Sequence, residues 1–284
     1  MKTHKNCDLQ PVPGSESNIS DLMPYIKAAR DKFPSKEELF SEVNKDRDSR
    51  KKIVKTLQYT VALAFCAFGV WTINPTISSE TYTTTYAQNE QFSLPDGSGV
   101  HLNSNTTLTA RFRLFSRELH LEKGEASFSV KHELRPFTVA VNAAKVLDIG
   151  TVFNLSKSDQ AFIATVVEGE VELQTGGAKN RLTAGQSINV SNTKTGSPYI
   201  ANMEVVTAWQ AGKIIFNKTP LKEAVASIQR YRKEPIQLDP SVGEMLMTGI
   251  YDVSSIEQLL DSMGTMFPVK VSRLGEGEIK IQKN

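Results

Sequence analysis

Cysteine is almost missing from this chain of 284 residues, where Cys7 and Cys66 are the only two. One lies in a polar tail and the other in an apolar run, which excludes a disulfide framework and a zinc cage. The chain beyond residue 73 has no cysteine at all and needs no oxidation to fold. Histidine is nearly as rare, at four residues. His101, His120 and His132 stand in alternating apolar and polar segments and read as solvent-facing strand residues, not ligands. An excess of one charge is also absent, since 33 Lys and Arg face 31 Asp and Glu. That balance excludes a direct nucleic-acid binder with a broad basic face. No nucleophile elbow, P-loop, His-Glu-x-x-His or Cys-x-x-Cys occurs. No metal, no cofactor and no enzyme acting on a separate substrate is expected.

Long apolar runs are also scarce, but one is present. No charged residue occurs from Thr56 to Ser79, and the apolar part is Leu57 to Ile73. As a helix that part is about 25 Å long, at the short end of what crosses a bilayer. Tyr59 and Trp71 lie near its ends, where amphipathic rings favour the interface. Lys45, Arg47, Arg50, Lys51, Lys52 and Lys55 precede it, and the first twenty residues after it contain no Lys or Arg. The positive-inside rule places residues 1–56 in the cytoplasm and 74–284 outside, as a single-pass signal anchor.

Three regions differ in pattern. Residues 1–19 are polar and read as a flexible start. Residues 20–52 read as two short amphipathic helices. Ser20 or Asp21 caps a face of Leu22, Ile26 and Ala29, and the Ser35/Glu38 capping box precedes Leu39, Phe40 and Val43. Such helices make no core of their own, and their apolar faces point to a segment that orders on a partner, with a solvated tether as the alternative. Residues 81–206 alternate apolar and polar residues between tight turns, which predicts an all-β sandwich, barrel or solenoid-like stack. Glu122–Gly124 and Glu168–Glu170 read as hairpin turns. Residues 209–284 predict the order β-α-β-β-α-β-β, one small sheet with two helices on one face. Pro220 opens the first helix, Ser254 or Ser255 caps the second, and Gly275 and Gly277 turn the closing hairpin.

One bond has chemical interest. In VLDIGTVFNL, Thr151 follows Gly150, and a hydroxyl after glycine can attack the preceding carbonyl in a strained turn. A plain β-turn is the alternative.

The external part resembles the FecR-type membrane sigma-factor regulators. The resembling stretches are FSLPDGSGVHLNSNTTL, RELHLEKGEASFSV, RPFTVAV, KVLDIGTVFNL, TVVEGEVEL, LTAGQ and AWQAGKIIFNKTPLKEAV, in the family's order across residues 86–225. The tail resembles an STN-like module in FNKTPLKEAVASI, TGIYDVSSIEQLLDSM and EIKIQ. The resemblance implies an inner-membrane, anti-sigma-factor relay in a Gram-negative bacterium. Residues 1–56 form a cytoplasmic segment that binds an extracytoplasmic-function sigma factor, with Leu22, Ile26, Leu39, Phe40 and Val43 as its candidate surface. Residues 57–73 are the membrane helix, 74–85 a linker, 86–206 the FecR-like β domain and 207–284 the STN-like α+β domain. The implied partner outside is the periplasmic signalling domain of a TonB-dependent outer-membrane transducer loaded with a ferric siderophore or related iron source. Ile236, Leu238, Met247, Ile250 and Tyr251 are its candidate docking residues, by strand addition or as core. Periplasmic and intramembrane proteases are implied for signal release, and a helix holding Thr60, Gly69 and Thr72 suits unwinding. Some relatives self-cleave at the Gly-Thr matching Gly150–Thr151. The cytoplasmic segment departs from the family's tryptophan-containing motifs, because residues 1–56 hold no Trp. The rival class is a membrane-tethered periplasmic adaptor of a secretin or transport assembly, which would tolerate deletion of residues 20–52.

Overall fold

A computed structural model describes residues 19–31, 35–159, 161–191 and 194–284. They fall into two units, Met1–Gly69 and Val70–Asn284. In the first unit, α1 spans Ile19–Arg30 and α2 begins at Lys36 and runs to Ile73, so its last turn belongs to the second unit. The expected capping box opens α2. Ser35 N donates to the Glu38 carboxylate at 2.9 Å and Glu38 N to Ser35 Oγ at 3.2 Å. The helix then continues unbroken into the apolar run, where the sequence suggested two separate helices. Lys52–Ile73 is long and apolar enough to cross a membrane, and no other helix among the described residues is. Thr56 and Thr60 donate their hydroxyls to the Lys52 and Leu57 carbonyls, so these polar groups are satisfied within the helix.

The second unit starts with strands. In chain order they are β1 (Thr76–Thr83), β2 (Glu90–Ser93), β3 (Gly99–Leu102), β4 (Thr107–Arg113), β5 (Arg117–Ser129), β6 (Phe137–Val141) and β7 (Ala144–Asp148). There follow β8 (Val152–Lys157), β9 (Ala161–Glu168), β10 (Glu170–Thr175), β11 (Ala178–Thr183), β12 (Gln186–Ser191) and β13 (Tyr199–Ile200). They form one 13-stranded sheet with the path β11-β10-β7-β6-β5-β8-β9-β12-β13, from which β1–β4 and β2–β3 branch at β5. The alternation sets the core. Phe137, Val139 and Val141 of β6 point inward with Leu121, Phe128, Phe153 and Leu155.

Two readings of the sequence change here. Residues 76–83 are not linker, because β1 pairs antiparallel with β4 from Thr76↔Arg113 to Thr83↔Thr107. Gly124 is not a hairpin turn, because β5 passes straight through it. Before Gly124 the strand pairs with β4, and after it with β3 and β8. Its φ is +86°, and a Cβ would lie 2.2 Å from Thr106 Oγ1. Only glycine fits this change of sheet. The Glu168–Glu170 turn is as expected, with Gly169 at φ +80° between β9 and β10.

A buried ion pair lies at the start of β5. Arg117, 2% exposed, donates to Asp96 at 2.7 Å. Its other donors reach the Arg135 carbonyl at 3.0 and 2.8 Å and the Lys131 carbonyl at 3.0 Å, and its guanidinium lies over the Phe137 ring. Asp96 also accepts from Ser98 N and Oγ at 3.0 and 2.7 Å. Every partner is supplied.

The C-terminal module begins with α3 (Met203–Thr207) and continues as β14 (Lys213–Pro220), α4 (Leu221–Gln229), β15 (Ile236–Leu238) and β16 (Leu246–Asp252). It ends with α5 (Ile256–Met266), β17 (Val269–Arg273) and β18 (Ile279–Lys283). The expected element order holds, but the single sheet does not. β14 pairs with β16, and β15-β18-β17 form a separate sheet. Both sheets and both helices share one core around Leu221, Ile228, Met247, Leu260 and Ile281. Pro220 stands at the N-cap of α4, and Ser255 holds the N-cap of α5 without a side-chain bond.

Candidate functional sites in the second unit

The sheet and the C-terminal module meet at a polar cluster centred on Glu125, the residue after the Gly124 crossing. Glu125 is buried and accepts from Asn103 Nδ2 at 2.8 Å, Asn154 Nδ2 at 2.9 Å and the Arg230 guanidinium. Arg230 also donates to Ser156 Oγ at 2.8 Å, and its carbonyl accepts from Ser104 Oγ at 2.9 Å. Asn103 Nδ2 lies 3.0 Å from the Tyr231 hydroxyl. Burial, reinforced by the Glu125 charge, pushes the Tyr231 phenol up to about 12, so it stays neutral.

Beside this cluster His101 packs against Trp209 with ring centroids 4.8 Å apart. This corrects the sequence reading of His101, which is half-buried rather than solvent-facing, and burial lowers its pKa. His120 and His132 are exposed as expected. Asn154 Oδ1 and Trp209 Nε1 are buried without a hydrogen-bond partner among the described residues. Each such atom costs about 1–3 kcal/mol. A cavity of about 500 Å³ opens between the polar sheet face (Asn154, Thr165, Ser187) and β14 with Trp209. The junction is thus held by the Glu125–Arg230 pair with the hydrogen bonds around it, and is left partly unsatisfied.

The Gly150–Thr151 bond lies in the turn between β7 and β8. Gly150 has φ +93° and donates its N–H to the Asp148 carboxylate at 3.1 Å. Thr151, nearly buried, donates its hydroxyl to the same carboxylate. Across the turn, a Cβ on Gly169 would stand 2.3 Å from the Gly150 carbonyl oxygen. The arrangement holds a hydroxyl, a proton acceptor and a tightly packed carbonyl within one turn. Sequence reading missed Asp148, although its place three residues before Thr151 was visible.

The other candidates are distributed differently. Met247 is 1% exposed and belongs to the core, so it is unavailable for docking. Ile236 and Leu238 are partly buried on β15 beside a groove along α4. Ile250 is exposed on β16, and Tyr251 packs on Phe216. These residues lie on two different sheets and do not form one patch. In the first unit Ile26 and Phe40 are exposed. The side chains of Leu22, Leu39 and Val43 lie outside the described residues. No group of three or more His, Cys, Asp or Glu able to hold a metal occurs among the described residues.

The fold is thus a β domain with a fused α+β module, preceded by one helix long and apolar enough to cross a membrane. The FecR protein family model matches residues 80–172, from within β1 to within β10. Over those residues the chain is similar to the FecR protein family. Two solved structures of a provisionally named anti-sigma factor from Parabacteroides distasonis are similar to it. One is 28% identical, with a TM-score of 0.63, over 73% of this chain and 100% of that one. The other is 29% identical, with a TM-score of 0.63, over 72% and 99%. No curated protein sequence matches this chain.

Proposed function

We propose that this chain is a single-pass membrane regulator of an extracytoplasmic-function sigma factor. The observation that carries this reading is a FecR domain joined through one membrane-length helix to a helical segment with exposed apolar residues. The anti-sigma-factor name of two similar structures supports it. The helical segment, with Ile26 and Phe40, holds the sigma factor in the cytoplasm, as the basic flank from Lys45 to Lys55 orients it. The C-terminal module, STN-like in its resembling stretches and element order, receives a TonB-dependent transducer carrying a ferric siderophore or related iron source. Regulated proteolysis then releases the cytoplasmic segment. Deleting residues 20–52 separates this from a periplasmic adaptor. A regulator loses its control of sigma-dependent reporter transcription, whereas an adaptor is unaffected.

Gly150–Thr151 is the processing bond in this scheme. Thr151 Oγ attacks the Gly150 carbonyl carbon, the C–N bond breaks as an ester forms, and water hydrolyses the ester. Asp148 accepts the hydroxyl proton and returns it to the released amine. In a chain tagged at both ends, immunoblotting should find two pieces that meet near residue 150 before any inducer is added. Thr151→Ala should leave one full-length band, and Asp148→Asn should slow the appearance of fragments. Unchanged fragments in Thr151→Ala would assign the cut to a separate protease.

A further inference from the structure

We propose that the β4–β5 hairpin tip dips Leu114 and Phe115 into the same bilayer that α2 crosses, seating the FecR domain on the lipid surface. The inference rests on the membrane-spanning reading of α2. Asn74 ends that helix, with its N–H bonded to the Val70 carbonyl at 3.0 Å and a left-handed φ of +43°. Its side chain then brackets the hairpin tip. Asn74 Oδ1 accepts from Phe115 N at 2.9 Å, and Nδ2 donates to Ser116 Oγ at 2.9 Å. Leu114 N donates to the Pro75 carbonyl at 3.1 Å, and Arg113 Nη1 to the Asn74 carbonyl at 3.3 Å. The tip is therefore hydrogen-bonded to the two residues that follow the apolar span. It sits at the depth where the span ends.

What the tip carries at that depth matters. Leu114 and Phe115 are 40% and 42% exposed. Hairpin tips ordinarily hold Gly, Asn, Asp or Pro, and adjacent large apolar side chains in water are unfavourable there. The neighbouring loop adds Leu134, fully exposed, and Arg135 of that loop donates to the Arg113 carbonyl at 3.3 Å. Two apolar side chains thus stand beside the end of the apolar span, with Leu134 on the loop bonded to the same hairpin. The occupant that fits is the boundary between headgroups and acyl chains, because the patch is continuous with the helix end and aromatic and aliphatic side chains partition there.

The test uses the full chain in lipid nanodiscs, with Cys7 and Cys66 replaced by Ser. A single cysteine is placed at Phe115, at Leu114, at Ala64 within the span, or at Tyr86, and labelled with an environment-sensitive fluorophore. Tyr86 is the matched control, since it is 40% exposed and follows the far end of β1, where Thr83 pairs with Thr107. That end is about 20 Å along the strands from the tip. Spin-labelled lipid should quench most of the emission at positions 115, 114 and 64, and little at 86. Adding Asn74→Ala should restore emission at 115 while 64 stays quenched. Quenching at 64 but at neither 114 nor 115 would overturn the inference and leave the membrane helix standing. Absence of quenching at 64 would overturn the membrane reading and the inference together.

Discussion

Asp96→Ala is expected to destabilise the second unit by about 3–5 kcal/mol, because it leaves the buried Arg117 charge with only the half-exposed Glu133 carboxylate 4.0 Å away. Arg117 is 2% exposed and the Asp96 side chain fully enclosed. Replacing both, Asp96→Ala with Arg117→Met, should cost less than the single change, since no unpaired charge then remains. Chemical denaturation of the detergent-solubilised chain would measure both. A single-variant loss under about 1 kcal/mol would mean that the pair is hydrated and worth no more than a surface bridge. The pH dependence has a definite sign. Burial alone would raise the Asp96 pKa, but the bonds from Arg117 and Ser98 overcome it and hold the carboxyl below its ordinary value. Its contribution is therefore complete above the unfolded carboxylate pKa of about 4 and is lost as pH falls through the lower native value.

Glu125→Ala should open the junction between the sheet and the C-terminal module. Arg230, Asn103 and Asn154 lose their shared acceptor at once. Asn154 and Trp209 already hold unpartnered atoms there, so the junction has little reserve. A loss of about 2–5 kcal/mol is expected. Trp209, buried against His101, should shift its emission to the red as the module loosens. The other tryptophan, Trp71, is replaced by Phe for this experiment. Unchanged Trp209 emission in Glu125→Ala would show that apolar contacts, and not the charge pair, hold the module. For a relay, an interface centred on a reversible charge pair is a suitable place for an external contact to act.

Much of this architecture was legible because its signals are local. The membrane run, the Ser35/Glu38 box and the alternation of β6 each declare themselves within a few residues. The elements that escaped are those whose causes are not local. β1, TISSETYT, buries no side chain fully and has no apolar alternation, and it is a strand because β4 offers an edge. β11, AKNRLT, buries only Leu182. Gly124 resembled a turn glycine, and only its clash with Thr106 explains why a strand passes through it. The Glu125–Arg230 pair joins residues 105 positions apart, and no spacing rule reaches that far. Met247 read equally as a docking residue or as core, and only its packing with both sheets and both helices places it in the shared core.

In the proposed function, the segment before the membrane-length helix holds a sigma factor. The direct measurement is affinity capture of the full-length chain, tagged at its C-terminus, from membranes of its own cells. The captured proteins are identified by mass spectrometry, beside a chain carrying Ile26→Asp and Phe40→Asp. A sigma subunit should co-purify with the unmodified chain and be lost from the double variant, while the yield of the chain itself is unchanged. Capture of the intact chain with no sigma subunit, or with equal amounts on both chains, would contradict this reading.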